Sequence, residues 1–313
     1  MIINILIIIA SIAIVIYGAD KLTEGSVGIA ERIGMPQIVI GLTIVAMGTS
    51  MPEFSVSLIS ALKGTSDLAV GNVVGSNIFN AMLIVGCAAL VAPMTILETT
   101  VRKDIPFALV ASVILFLMST DGEISRIDAT IMFAMFILFM FFTLKGAKVN
   151  AIKVVASSDD SVKPMNMWKA IGFILFGLTA LILGSNYFVE SATDVAKTLG
   201  VSDAVIGLTI VAGGTSMPEL ATSIVAARKG NSGIAIGNVL GSNVFNILFI
   251  LGATGLVSPM HLENITTLDM TMLIVSMILL WLFSFTKYTI QRWEGALLVI
   301  GFSGYVGYLI SMV

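Results

Sequence analysis

The chain has 313 residues, of which 57% are hydrophobic and only 11% charged, with a formal net charge of −3. A soluble globular protein carries about 25% charged residues, so this composition excludes a water-soluble domain, and its apolar excess excludes disorder. The near-neutral balance offers nothing to hold nucleic acid. The single Cys87 excludes a disulfide framework or a thiolate metal site, and the single His261 excludes a histidine-rich one.

Stretches long enough to cross a bilayer follow one another along the chain. A span needs about 20 mostly apolar residues. Uncharged runs lie at 1–19, 68–97, 105–120, 129–144, 170–189, 230–262, 270–286 and 295–313. Two more, 33–62 and 204–227, are interrupted only by Glu53 and Glu219. The total predicts ten transmembrane helices in an all-α membrane protein. The opening Met-Ile-Ile-Asn has no basic segment and no small-residue cleavage site, so residues 1–19 read as the first span rather than a signal peptide.

With ten spans both termini fall on one side. The loops of that side hold only Lys63, Arg126 and Lys197, and the opposite loops hold the other 13 of the 16 basic residues. The positive-inside rule then places both termini outside, in a multi-pass protein of the cell membrane. The long polar segment 145–167, with Ser157-Ser158-Asp159-Asp160, reads as a cytoplasmic linker between a first unit, 1–144, and a second, 168–313.

These units are copies. Gly41-Leu-Thr-Ile-Val-Ala-Met-Gly-Thr-Ser-Met-Pro-Glu53 recurs at Gly207 to Glu219 with one difference, at an offset of 166. Gly71-Asn-Val-Val-Gly-Ser-Asn-Ile-Phe-Asn80 recurs as Gly237 to Asn246 at the same offset. Each copy has five spans, an odd number, so the second enters the membrane from the opposite side. Inverted repeats of this kind are an architecture of secondary transporters, which bind near the midplane between the repeats.

The motifs carry a coherent chemistry. Pro52 lacks an N–H and deprives the Gly48 carbonyl of its helical partner, and it pushes Met51 away from helical geometry. The second span is therefore expected to break, as is the seventh at Pro218; Gly75 and Gly241 permit close approach or a further break, and the third and eighth spans are expected to be broken as well. Non-helical backbone at membrane depth survives only when buried in protein or lining a wet cavity. Freed carbonyls, the Thr49 and Ser50 hydroxyls and the Glu53 carboxylate would converge there, and Thr215, Ser216 and Glu219 would match them. Glu53 sits in the first turn of a half-helix, whose dipole favours an ionised carboxylate.

In the following span Asn72, Ser76 and Asn80 share one helical face at intervals of four, as do Asn238, Ser242 and Asn246. This ligand set is all oxygen and suits a hard cation, above all Ca²⁺, which takes about 6–8 oxygens in flexible geometry. Two carboxylates balance one Ca²⁺ or two monovalent ions, which points to exchange. No basic residue lies within either span to pair with Glu53 or Glu219. Proton relay by these glutamates, and a purely interhelical role for the Asn and Ser faces, remain open readings.

Both motif pairs resemble the α-repeats of the calcium/cation antiporter superfamily, and within it the prokaryotic sodium/calcium exchanger branch. Residues 48–53, 71–77, 214–219 and 237–243 carry the resemblance. It implies exchange of one Ca²⁺ for several Na⁺, three in the usual family description, with no cofactor and no enzymatic activity, by a protein expected to work as a monomer in the lipid bilayer. It places Glu53 and Glu219 on Ca²⁺ with carbonyl oxygen from Thr49 and Thr215. It assigns Na⁺ to surrounding sites at the Ala46 and Ala212 carbonyls, Ser50, Ser216, Ser76 and Ser242. Asn80 and Asn246 complete the expected ligand set. Asparagine at both positions argues against a potassium requirement, and it departs from prokaryotic exchangers with an acid there. A H⁺/Ca²⁺ antiporter is the nearest alternative, a passive cation channel a different class. The absence of His-Glu-x-x-His or a Ser/His pairing argues against an intramembrane enzyme.

Overall fold

The computed structural model describes residues 1–155, 165–201, 206, 210–263 and 265–311. The linker residues Ser157 to Asp160 and the Gly207-Leu208-Thr209 part of the second motif lie outside the described residues.

Helix α1 spans Ile2–Ile33 and ends on Gly34, whose left-handed backbone (φ 64°) closes the last turn. Next come α2 (Gln37–Thr49) and α3 (Met51–Leu62), bent by 48° at their junction. Then follow α4 (Ser66–Val91), α5 (Ile105–Met118) and α6 (Arg126–Val155). The second half holds α7 (Met167–Thr198), α8 (Ala212–Thr215), α9 (Met217–Arg228), α10 (Ser232–Val257), α11 (Thr267–Ser284) and α12 (Arg292–Ser311). Among the described residues seven helices are long and apolar enough to cross a membrane, or eight with the bent α2–α3 pair as one span. The runs 105–120 and 204–227 fall outside that number. At 14 residues α5 is only about 21 Å long, and it is preceded by a π-helical turn, Thr100–Asp104. The second run lies partly among residues that are not described.

The expectation of breaks in the third and eighth spans is corrected. Helices α4 and α10 pass through Gly75 and Gly241 without interruption, because neither contains a proline and glycine alone leaves the hydrogen-bond ladder intact. Each instead carries a π-helical stretch, Phe79–Ile84 and Phe245–Leu251. Such stretches shift the ladder by one residue and are frequent at functional sites.

The all-α expectation also omits two small ribbons. Strand β1 (Met94–Thr95) pairs antiparallel with β4 (Thr289–Ile290), and β2 (Glu123–Ile124) with β3 (Met260–His261). The 166-residue offset exchanges the two ribbons strand for strand: Met94 corresponds to Met260 and Ile124 to Ile290, so the Met94–Ile290 pair is matched by Met260–Ile124.

Helices α4 and α10 form the centre. Over the most apolar part of α10 94% of residues are buried, and over that of α4 72%, against 17–33% for α1, α6, α7, α11 and α12. The outer helices present Ile9, Ile16, Phe142, Leu175 and Ile300 outward, as expected of a lipid-facing surface. Helices α1 and α7 pack closely along small residues. A Cβ on Gly18 would lie 2.9 Å from the Ala180 Cβ, and one on Gly177 would lie 2.6 Å from the Leu22 nitrogen. Close backbone approach of this kind replaces the hydrophobic effect as the source of helix association in lipid.

Candidate cation-binding site

The break that the proline motifs predict is present, but it lies one residue before the expected Met51, which is helical: it falls at Ser50, with φ −85° and ψ 11°, and again at Ser216, with φ −89° and ψ 8°. Pro52 and Pro218 stand in the first turn of the downstream helices α3 and α9, where a missing N–H costs nothing. The interruption is narrow: the Ser50 N–H still donates to the Ala46 carbonyl at 3.0 Å, and the Phe54 N–H to the Ser50 carbonyl at 3.1 Å. The Ala46 carbonyl is thus already engaged by the chain. Ala212 opens α8 and Thr215 closes it.

Each bend delivers a serine to the glutamate of the other half. The Ser50 Oγ donates to Glu219 Oε1 at 2.8 Å, and the Ser216 Oγ to Glu53 Oε1 at 3.1 Å. The Ser216 hydroxyl also lies 3.3 Å from the Ser76 hydroxyl on α4. Glu53 is 0% exposed and Glu219 1%. Among the described residues, none of the ion pairs of Lys, Arg or His reaches either carboxylate.

The asparagines divide into two kinds. Asn72 and Asn238, expected on the ligand face, instead tie the helices together. Asn72 Nδ2 donates to the Glu53 carbonyl at 3.1 Å and the Ser57 hydroxyl at 3.0 Å. Asn238 Nδ2 donates to the Glu219 carbonyl at 3.3 Å and the Ser223 hydroxyl at 3.0 Å, while its Oδ1 accepts from Thr49 Oγ1 at 3.1 Å. The Thr49 hydroxyl thus reaches the opposite half, and it also lies 3.4 Å from the Ala46 carbonyl. Asn80 and Asn246 use their Nδ2 groups on Asn243 Oδ1 (3.0 Å) and Asn77 Oδ1 (2.9 Å).

What remains is a set of buried oxygens with no hydrogen-bond partner: Glu53 Oε2, Glu219 Oε2, Asn80 Oδ1, Asn246 Oδ1 and the Ser242 hydroxyl. Four of the five are acceptors only, and an unsatisfied buried acceptor costs about 1–3 kcal/mol, more when charged. Buried acceptors without donors are groups that a cation can satisfy. Sequence reasoning missed Asn77, Asn243, Ser57 and Ser223. All four recur at the 166-residue offset, which is the signal that could have singled them out.

The surroundings of the two halves differ. On α4, Gly75 is exposed and Asn72 half-buried, whereas their counterparts on α10, Gly241 and Asn238, are buried. A Cβ on Gly241 would meet the Leu42 carbonyl at 2.6 Å and the Ala46 Cβ at 2.7 Å. The packing around the centre is thus tighter where α2 crosses α10 than along the start of α4, while Glu53, Glu219, Asn80 and Asn246 themselves are buried.

Fold and centre together define a multi-pass helical membrane protein whose polar core consists of oxygens around two buried carboxylates. The family model described as "Sodium/calcium exchanger protein" matches residues 3–145 and again 169–311. The chain is 33% identical to the "Putative antiporter CaxA" of Alkalimonas amylolytica, covering 97% of this chain and 98% of that protein. It is 34% identical to the "Sodium/calcium exchanger MaX1" of Methanosarcina acetivorans, covering 99% and 98%. Its fold superposes on a structure of the sodium-calcium exchanger NCX_Mj soaked with Na⁺ and Ca²⁺, with a TM-score of 0.83, 30% identity and 96% of each chain covered. This chain belongs to the sodium/calcium exchanger family, a family of transporters and not of enzymes.

Proposed function

We propose that this protein exchanges Na⁺ for Ca²⁺ by alternating access at the oxygen-lined centre between α2–α3, α4, α8–α9 and α10. The observation that carries the reading is the set of bare buried oxygens around Glu53 and Glu219. Glu53 and Glu219 are the Ca²⁺ ligands, with the Thr49 and Thr215 carbonyls beside them. Ser50, Ser216, Ser76, Ser242, Asn80, Asn246 and the Ala46 and Ala212 carbonyls serve the Na⁺ and flanking positions.

Ten spans arranged as two inverted repeats, 1–144 and 168–313 joined by the linker 145–167, fit the paired ribbons, the crossed Ser–Glu bonds and the doubled family match. With both termini outside, the tight crossing of α2 and α10 lies toward the cytoplasm, and the more loosely packed start of α4 toward the outside. Reorientation is favoured only when loaded, since two unneutralised carboxylates are costly to carry through a dry barrier. One protomer contains every proposed ligand, so the functional unit is a monomer.

Liposomes containing the purified protein and loaded with Na⁺ should take up radioactive Ca²⁺ when diluted into Na⁺-free buffer. A matched pH gradient without Na⁺ should drive none. Uptake driven by the proton gradient alone would refute Na⁺ coupling and establish the H⁺/Ca²⁺ alternative, and flux far above carrier turnover would establish a channel.

A further inference from the structure

At the contact of α4 with α10, the ligand asparagines Asn80 and Asn246 are joined in a closed, crossed network by Asn77 and Asn243, which the ligand set does not include. Asn77 Nδ2 donates to the main-chain carbonyl of Asn243 at 3.1 Å, and Asn243 Nδ2 to that of Asn77 at 3.3 Å. Asn243 Nδ2 also lies 3.3 Å from the Met277 sulfur, a weak acceptor. Asn77 and Asn243 are 0% and 1% exposed, so water does not compete for these bonds.

The network fixes which end of each amide points where. A main-chain carbonyl only accepts, so Asn77 and Asn243 must present Nδ2 to it. Their Oδ1 atoms then face Asn246 and Asn80, at 2.9 and 3.0 Å. An oxygen facing them requires a donor, so Asn246 and Asn80 must answer with Nδ2. Their own Oδ1 atoms are thereby turned the other way, and both are left without a partner. Absent this constraint a carboxamide can flip and present N–H groups to a cation, which repels it. Asn77 and Asn243 lie two residues before the π-helical stretches of α4 and α10, which contain Asn80 and Asn246, and they join the halves through side chains that neither half can satisfy alone.

We infer that Asn77 and Asn243 are positioning residues for transport: each holds the ligand asparagine of the opposite half with its oxygen toward the cation, Asn77 acting on Asn246 and Asn243 on Asn80. The inference rests on the proposed cation site. It deepens that site by adding a layer that sets its selectivity for cations over the amide's alternative orientation.

The test is a set of double-mutant cycles read on the KM for Ca²⁺ in the liposome assay, beside the maximal rate. Asn77→Ala and Asn243→Ala should each raise KM about tenfold, the equivalent of one lost oriented ligand. Coupling should be crossed. Asn77→Ala should add little in the Asn246→Ala background, and Asn243→Ala little in the Asn80→Ala background. The pairs 77 with 80 and 243 with 246 should be close to additive. A merely structural role lowers the maximal rate through lost folded protein and leaves KM alone, and that result would overturn the inference, as would uniform additivity. Asn77→Ser or Asn243→Ser, which retains a donor for the opposite carbonyl, carries the same cycles where the alanine variant does not yield monodisperse protein. If Asn80→Ala and Asn246→Ala themselves leave KM unchanged, the inference falls together with the cation-site reading. If they raise it and Asn77→Ala does not, only the positioning role falls.

Discussion

Replacing Glu53 with Gln separates ion binding from folding. Glu53 Oε1 takes the Ser216 hydroxyl at 3.1 Å and Oε2 is bare. Glutamine keeps the acceptor for Ser216 but presents an N–H₂ where the bare oxygen stood, and it removes one of two negative charges. Breaking a buried charge pair by deleting one partner costs about 3–5 kcal/mol. At about 1.4 kcal/mol per decade, Ca²⁺ binding weakens by about two to three and a half orders of magnitude. The ion-free protein responds in the opposite sense, because a buried, unpaired carboxylate has been removed. The assay is thermal unfolding in detergent with Ca²⁺ titrated in. At about a hundredfold over Kd a ligand adds about 2.7 kcal/mol of stability, so the wild-type protein should shift upward clearly. At the same Ca²⁺ concentration Glu53→Gln should shift hardly at all, while its ion-free midpoint equals or exceeds that of the wild type. A Ca²⁺-induced shift of wild-type size in the variant would refute Glu53 as a ligand and the bare oxygens as the site.

Further outcomes follow from the same geometry. In a background with Cys87 replaced by serine, Gly75→Cys in intact cells should react with a membrane-impermeant thiol reagent and Gly241→Cys should not; the reverse pattern would invert the orientation. Gly177→Ala should destabilise the α1–α7 pair by about 1–3 kcal/mol, as overpacking does, since its Cβ would sit 2.6 Å from the Leu22 nitrogen. An unchanged unfolding midpoint would show that the helices separate freely. At the mouth of α5, outside the apolar span, burial pushes the Asp104 carboxyl up to about 6, against the weaker opposing pull of the Thr100 hydroxyl and Lys103. Its folded value lies above the ordinary aspartate value of about 4, so its contribution is fully present below that pH and is lost as pH rises through about 6. Asp104→Asn should therefore gain stability relative to wild type between about pH 5 and pH 7, and a constant difference across that range would disprove the assignment.

Much of the centre was legible from residue order. Pro52 and Pro218 announced the bends, and they fall at Ser50 and Ser216. The glutamates were recognisable because nothing in their spans could neutralise them. Gly75 and Gly241 misled: a glycine in a helix signals either flexibility or close packing, and only the packing of α10 against Leu42 and Ala46 shows which applies at Gly241. The two ribbons were invisible because two-residue strands have no periodicity to read. Asn72 and Asn80 shared one face in the sequence but have opposite tasks, one clamping the Glu53 carbonyl and the other exposing its oxygen.

By itself the sequence determined the solvent, the repetition and the chemistry of the centre. Those depend on composition, offset and residue type, all of which are local or countable. Only the tertiary structure decided that Ser50 serves Glu219 rather than Glu53, that the Asn246 amide donates to Asn77, and that packing is tighter on one side of the centre than on the other. A hydroxyl or carboxamide can donate and accept. Its role is set by the partner that packing brings within about 3 Å, and here most of those partners lie more than 130 residues away along the chain.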